Sequence, residues 1–199
     1  MTRPCVATMI VAAAVLATSV AAAQEPLKIG FVASLSSPTS AGGPDMLDSF
    51  KLGLSEHGGK LGGRPVDLIV ADDELKPDVG VQKVRKMLDE DKVQLITGMV
   101  LSNIALAEAR TVLPRKVFMV SLNAGPSALA GPECSPYFFA AAYQADTSSE
   151  GMGIYLQQKG VKRMSIIAPN YAAGRDLLTG FKRYYKGTIA TETYTPLDQ

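Results

Sequence analysis

Leu27-Lys28-Ile29-Gly30-Phe31-Val32-Ala33 is the stretch on which the fold turns. Apart from one lysine near its start it is an unbroken apolar run of strand length, and it gives way to a Ser/Pro/Gly loop ending at Gly43. A short apolar run bounded by turn residues reads as a strand inside a sheet, with its side chains covered by neighbours.

Downstream the pattern repeats. Pro44 suits a first helical position, ahead of a helix over 46–56 that places Met46, Leu47, Phe50 and Leu54 on one side. A glycine-rich connector over 57–65 leads to a second strand over 66–71. Pro77 opens a helix in which Val81, Val84, Met87 and Leu88 fall at helical spacing, and 94–97 is a third strand. Ser102 or Asn103 caps a helix running to Leu113, and 117–121 is a fourth strand. Strand followed by helix, over and over, predicts an α/β protein with a mostly parallel sheet, helices on both faces and right-handed crossovers. Ligands of such sheets gather at the carboxyl ends of the strands, which singles out the loops 34–43, 72–74, 98–103 and 122–125.

After Gly125 the rhythm breaks. Pro126, Gly131, Pro132 and Pro136 punctuate a long loop, and 137–142 is an apolar extended piece. The alternation then restarts with a helix over 147–159, a strand over 163–168, a helix over 174–182 and a strand over 187–194. A boundary is expected near 142–146, dividing an N-terminal lobe, 24–142, from a second unit, 143–199. Two strands are too few to close a sheet of ordinary size, so the second unit reads as incomplete.

Upstream of the first strand, Arg3, the small and apolar run 6–20 and Ala21-x-Ala23 form an export signal over 1–23, with cleavage near Ala23 and a periplasmic destination. The run falls short of the roughly 20 apolar residues of a membrane span. Cys5 precedes the run, the wrong side for a lipidated cysteine. Removing the signal takes one of the 20 basic residues and none of the 19 acidic ones, leaving a formally neutral chain. That balance gives no electrostatic footprint for nucleic acid or an anionic membrane. Cys134 is left as the second of two cysteines, either a buried small hydrophobe or a thiol whose partner lies outside this chain.

Few residues offer catalytic chemistry. The single histidine, His57, sits in the glycine-rich connector and reads as a solvated loop residue. There is no G-x-S-x-G elbow, no H-E-x-x-H and no cysteine pairing for zinc. Asp72-Asp73-Glu74, at the end of the second strand, admits a magnesium site. The neighbouring strand ends, Thr97-Gly98 and Ser121-Leu122, supply no lysine for a phosphate, so a solvated acidic loop is the reading preferred. Gly42-Gly43 and Gly98 form neither a G-x-G-x-x-G nor a P-loop, and no cofactor is expected. Ser102-Asn103, directly after the third strand, sets a hydroxyl beside helix N-terminal amides, a pairing that holds carboxylates and that also describes an ordinary N-cap.

Several of these segments together resemble the periplasmic solute-binding proteins of branched-chain amino-acid type ABC importers: Lys28-Ile29-Gly30-Phe31-Val32, Leu61-Gly62-Gly63-Arg64-Pro65-Val66, Ala71-Asp72-Asp73-Glu74, Thr97-Gly98 with Ser102-Asn103, and Asn170-Tyr171-Ala172-Ala173-Gly174. The resemblance implies a type I periplasmic-binding-protein-like fold, here a parallel-sheet lobe one plus the incomplete start of a second α/β lobe. Such a protein captures a small carboxylate-bearing solute, a branched-chain amino acid or an aromatic acid, between two hinged lobes. It delivers the solute to an ABC permease in the inner membrane, as a monomer and without making bonds. By position, Ser102 and its neighbouring amides match the family's carboxylate contact. Asn123, Ala124 and Gly125 match a second ligand-facing loop, and Ser36 and Ser37 lie on the first. Gly125 stands where amino-acid binders have a threonine, and Ala173 where they have an aromatic. Tyr143 and Tyr171 offer flat faces for a ring, or else half-buried packing. The run from Cys134 to Asp146 resembles the aromatic-acid branch. The alternatives are a ligand-sensing receptor domain of the same fold and an exported metal-dependent α/β enzyme.

Overall fold

β1 (Leu27–Ala33) is buried from Ile29 onward because both its edges and both its faces are occupied. It pairs in parallel with β3 (Arg64–Asp72) on one side and β4 (Leu95–Gly98) on the other, Phe31 standing level with Val70 and Thr97. Beyond β4 lie β5 (Phe118–Ser121) and β6 (Phe138–Ala140), both parallel, and beyond β3 the antiparallel β2 (Lys60–Leu61). The six-stranded order is β2-β3-β1-β4-β5-β6. Its edges are strands of two and three residues, short enough to offer little backbone to an incoming chain. This computed structural model describes residues 24–36 and 42–197. The expected export signal, 1–23, lies outside the described residues, as do Ser37 with the remainder of 37–41 and residues 198–199.

Successive residues of a strand face opposite ways, and β1 feeds two cores accordingly. Phe31 and Ala33 meet Leu47 of α1 (Gly42–Glu56), with Met46 and Phe50 packed against them. Val32, on the other face, joins Val84 of α2 (Pro77–Lys86) and Ala105, Ala109 and Val112 of α3 (Ser102–Val112). Burial of a side chain such as Phe31 or Ile96 contributes about 1.5–3 kcal/mol, so these two clusters supply much of the drive that folds this part of the chain. The α/β alternation read from the sequence is borne out, as is the parallel sheet.

Two local expectations are corrected. The connector 57–65 contains β2, which turns back onto Arg64 and Pro65 through Gly62 (φ 56) and Gly63 (φ 81). Left-handed values at both turn residues favour glycine, and a two-residue strand is too short to announce itself by alternation. The extended piece over 137–142 supplies β6 through its residues 138–140, which extend the first sheet. Cys134, expected as a buried hydrophobe, is exposed. Its loop folds onto itself at the surface, with the Cys134 amide donating to the Gly131 carbonyl at 3.1 Å.

Past β6, α4 (Thr147–Gln158) and α5 (Ala172–Tyr184) accompany a two-stranded parallel sheet of β7 (Arg163–Pro169) and β8 (Thr188–Thr195). Ile166, Ala168, Leu178, Phe181 and Tyr185 form its core. Two sets of polar contacts tie α5 to earlier segments. The Ser127 amide and hydroxyl donate to Asp176 at 2.8 and 2.7 Å, and Arg183 donates to the buried Asp146 carboxylate at 2.8 Å.

Ile96 is fully buried whereas Ile167, on β7, is 66% exposed. Ile96→Ala is expected to cost about 2–5 kcal/mol in denaturant unfolding, and Ile167→Ala less than about 0.5 kcal/mol.

Candidate functional site

From β1 the chain passes to β3 on one side, and from β3 it crosses to β4 on the other, so the connections diverge between β1 and β4. A crevice at the carboxyl ends of two such strands is where open α/β sheets take ligands. At this point Gly98 has φ 111, and a Cβ built on it would lie 2.2 Å from the Val32 carbonyl oxygen. Only glycine permits that approach. Met99 follows in a left-handed conformation (φ 61) while fully buried, its amide donating to the same carbonyl at 2.8 Å. Such backbone in a non-glycine residue is kept only where the surroundings hold it, and it concentrates at functional sites.

The loops after β4 and β5 form one hydrogen-bonded unit. The Leu122 and Ala124 amides donate to the Gly98 and Met99 carbonyls at 3.0 and 3.1 Å, and Asn123 Nδ2 donates to the Val100 carbonyl at 2.8 Å. Leu35, from the loop after β1, packs beside Val100 and Leu122 over Phe31 and Ala33. The three loops therefore share an apolar base beneath Ser36, Ser102 and Asn123.

Neither Ser102 nor Asn103 caps α3, which corrects the capping expectation. The N-cap is Leu101, in extended conformation, and no side chain caps the helix. Ser102 is the first helical residue, 2% exposed, and its hydroxyl bonds to no other described residue. An uncapped helix N-terminus leaves first-turn amides without partners and favours negative charge. The Asn103 side-chain oxygen is buried there, also without a partner.

Ser36 is already engaged, its hydroxyl and amide both serving Asp72. Burial pushes the Asp72 carboxyl up, but hydrogen bonds from the Ser36 hydroxyl and from the Leu35, Glu74 and Ser36 amides outweigh it and hold the group below its ordinary value. The acidic cluster is thus not the solvated loop expected. Asp72 ties down the loop after β1, and Asp73 is fully buried, accepting from the Ser34 hydroxyl at 2.5 Å and the Leu75 amide at 2.9 Å. Glu74 alone of the three is exposed.

Gly125 joins the loops to the tyrosines. Its carbonyl accepts from the Ala145 amide at 2.8 Å, and a Cβ on Gly125 would stand 2.0 Å from the Tyr143 carbonyl oxygen. Backbone thus occupies the place that any side chain at 125 would take, including the threonine that the resemblance led one to look for. Tyr143 is 65% exposed. Tyr171 is half-buried just before α5, and burial, with Tyr143 beside it, pushes its hydroxyl above the usual tyrosine value. The two hydroxyls are near enough to act on each other electrostatically. His57, by contrast, is exposed past the far end of α1, its Nδ1 2.8 Å from the Gly53 carbonyl.

A cleft of about 310 Å³ elsewhere is lined by Arg110, Glu133 and Cys134. Its charges are spent on each other, Arg110 gripping Glu133 at 3.1 and 3.3 Å. The strand ends, in contrast, keep a hydroxyl that bonds to no described residue and a helix terminus that no side chain caps.

A sequence profile of the family described as periplasmic binding protein matches residues 26–199. The chain belongs to that family. It is 23% identical over 191 residues to a Leu/Ile/Val-binding protein homologue of Brucella abortus, covering 90% of this chain and 48% of the relative. Among solved structures it is similar to an ABC-transporter solute-binding protein of Rhodopseudomonas palustris BisB5 bound to 3,4-dihydroxybenzoic acid. The TM-score is 0.79 at 27% identity, over 86% of this chain and 47% of that one. A second R. palustris solute-binding protein, in complex with 4-hydroxybenzoate, gives a TM-score of 0.78 at 27% identity, over 88% of this chain and 48% of that one. The chain thus spans about half the length of the relatives it matches. The two structural relatives are ABC-transporter solute-binding proteins, and the matching family is one of periplasmic binding proteins. No described helix of this member is long and apolar enough to cross a membrane.

One residue of this region escaped the sequence reading. Glu108 lies on α3 and is fully buried. The available signal was its spacing from Ile104, Ala105 and Val112, which puts a carboxyl on an otherwise apolar helix face.

Gly125→Ala is expected to destabilise by roughly 1–3 kcal/mol in chemical denaturation, because the obstructing atom is backbone. Asp72 contributes stability that is present above its ordinary value of 3.8 and lost as the pH falls through its lowered folded value. Acid titration followed by circular dichroism should show a transition in that range that moves or shrinks in Asp72→Asn.

Proposed function

We propose that this chain is the solute-capturing component of an ABC importer, working in the periplasm after loss of residues 1–23 and handing its ligand to a permease in the inner membrane. The ligand is a small carboxylate, and within that class an aromatic acid. The observation that carries the proposal is the uncapped N-terminus of α3 with the unengaged Ser102 hydroxyl, placed at the diverging strands. Backbone amides and a hydroxyl suffice to hold a carboxylate there. Asn123, Ala124 and Gly125 form the neighbouring wall, with Ser36 on the loop after β1 and Asn103 next along α3; Ser37, next to Ser36 in the sequence, belongs to the proposed set by position in the chain alone.

Two features favour a ring over an aliphatic amino acid. Gly125 removes the hydroxyl that amino-acid binders place near the ligand, and Tyr143 and Tyr171 bring aromatic faces to the same loop cluster. The benzoate ligands of the two R. palustris relatives agree with this choice. In this reading residues 24–142 form the first lobe and 143–199 the start of the second, the protein acts as a monomer, and ligand capture shifts an open form to a closed one that the permease recognises. No bond is made or broken. The acidic cluster is occupied in holding the first loop, which leaves nothing to favour a metal-dependent enzyme.

Calorimetric titration with 4-hydroxybenzoate, 3,4-dihydroxybenzoate and isoleucine tests the ligand class. The aromatic acids should bind and isoleucine should bind at least about tenfold more weakly, a difference of about 1.4 kcal/mol; preference for isoleucine defeats the aromatic reading. Ser102→Ala should weaken aromatic-acid binding by about 1–3 kcal/mol, and unchanged affinity removes Ser102 from the site.

A further inference from the structure

The loop 123–125 is held from two directions. On one side the Ala124 amide and the Asn123 side chain bond to the loop after β4. On the other, two residues past Gly125, the Ser127 amide donates to Asp176 Oδ2 at 2.8 Å and the Ser127 hydroxyl to Asp176 Oδ1 at 2.7 Å. Both oxygens of one carboxylate are thus committed to one residue, which fixes direction as well as distance, and bonds to a charged acceptor are roughly twice as strong as neutral ones. Arg175, next to Asp176 in the chain, turns away to Asn170 Oδ1 at 2.8 Å and to the Tyr194 ring, 5.6 Å from its centroid.

Asp176 sits where α5 can transmit that grip. Asp176, Gly180 and Arg183 are spaced four and three residues apart and share one face of the helix. Gly180 lies so close to the Asp146 carbonyl that no Cβ fits between them, and Arg183 donates to the Asp146 carboxylate at 2.8 Å. These two contacts reach only the crossing at Asp146. Asp176 alone of the three bonds to a residue of the 24–142 lobe. At the start of the helix the Pro169 carbonyl fills the space where a Cβ of Gly174 would stand, so α5 is seated on the end of β7. Tyr171 is the N-cap. A rigid rod therefore carries Tyr171 at its tip and, about 7.5 Å along its axis, the carboxylate that holds the loop 123–125.

On the reading of the strand ends as a solute site, we infer that Asp176 is a positioning residue: through Ser127 it sets the spacing and angle between the loop 123–125 and Tyr171. It acts without touching the solute. With a carboxylate held at the start of α3, the para position of a benzoate points away from Ser102, toward the tyrosine side. The carboxylate contacts belong to the first sheet and serve every aromatic acid alike, whereas a para hydroxyl is read by groups that α5 places. Loss of the Asp176 bridge therefore alters the distinction between benzoate and 4-hydroxybenzoate, not merely the strength of capture.

Asp176→Ala removes both acceptors. Asp176→Asn keeps an acceptor for the Ser127 amide and offers a donor to the Ser127 hydroxyl oxygen, so the bridge survives. In the solute-free chain, residual dipolar couplings of the backbone amides should show α5 and β7 reoriented against β1 and β4 in D176A and native in D176N. A native orientation in D176A overturns the inference, whatever the solute. Calorimetric titration with benzoate and 4-hydroxybenzoate then reads selectivity. The ratio of their dissociation constants should shift by at least about threefold in D176A and stay native in D176N; an unchanged ratio in D176A, or D176N as altered as D176A, refutes the positioning role. If the native chain binds neither acid, the solute reading fails by itself and the dipolar couplings alone decide whether Asp176 orients the loop. Should D176A not fold, Ser127→Ala, which leaves the amide donor only, replaces it in both measurements with the same directions expected.

Discussion

The closeness with which β4 approaches β1 governs the strand-end region. At the level of Val32 the two backbones are near enough that no side chain fits at Gly98, and one carbonyl both excludes a Cβ there and receives the Met99 amide. From this contact follow the left-handed Met99, the abrupt start of α3 behind Leu101, and the position of Ser102 as a first helical residue instead of a cap. The constraint costs backbone freedom, and burial of β1 on two faces offsets it. A helix that began one residue later, with Ser102 as its capping residue, would have its terminus closed.

In the proposed site, recognition rests on backbone and neutral groups. The Ser102 hydroxyl and the first-turn amides present partial charge, and a helix terminus contributes about 0.3–1 kcal/mol at an exposed site, rising to about 2 kcal/mol when partly buried. Stronger charges stand elsewhere and are occupied: Arg110 with Glu133, Arg183 with Asp146 and Glu150, Asp72 with the loop it restrains. A neutral site of this kind suits a solute that must be released again, because its grip comes from closure and desolvation more than from a fixed counter-charge.

Much of this was legible in the sequence because the decisive strands are uninterrupted. The runs around Phe31, Ile96 and Met119 have no competing period, and each proved a parallel strand of the central sheet. What escaped depends on contacts between distant residues. Lys60–Leu61 is a strand only because Arg64 and Pro65 lie opposite. Asp73 looked like part of a hydrophilic patch, yet the Ser34 hydroxyl and Leu75 amide turn it inward. The departure at Gly125 was visible as an absent threonine, but its cause, the Tyr143 carbonyl, belongs to a segment 18 residues further on. Proline and glycine spacing around Cys134 said that the loop was irregular and could not say which side faced water.

That exposed thiol changes what can be done with the molecule. Cys134 lines a cleft with Arg110, at the end of α3 remote from Ser102. Eight residues of helix separate those two positions, about 12 Å of rigid rod. The sequence contains one other cysteine, and it precedes the apolar leader. With residues 1–23 lost, as proposed, Cys134 is the one thiol among residues 24–199, and it offers an attachment point for a fluorophore or spin label beside Arg110, on the helix whose first residue is Ser102. A label there reads changes around Arg110 without an engineered cysteine at the proposed ligand site.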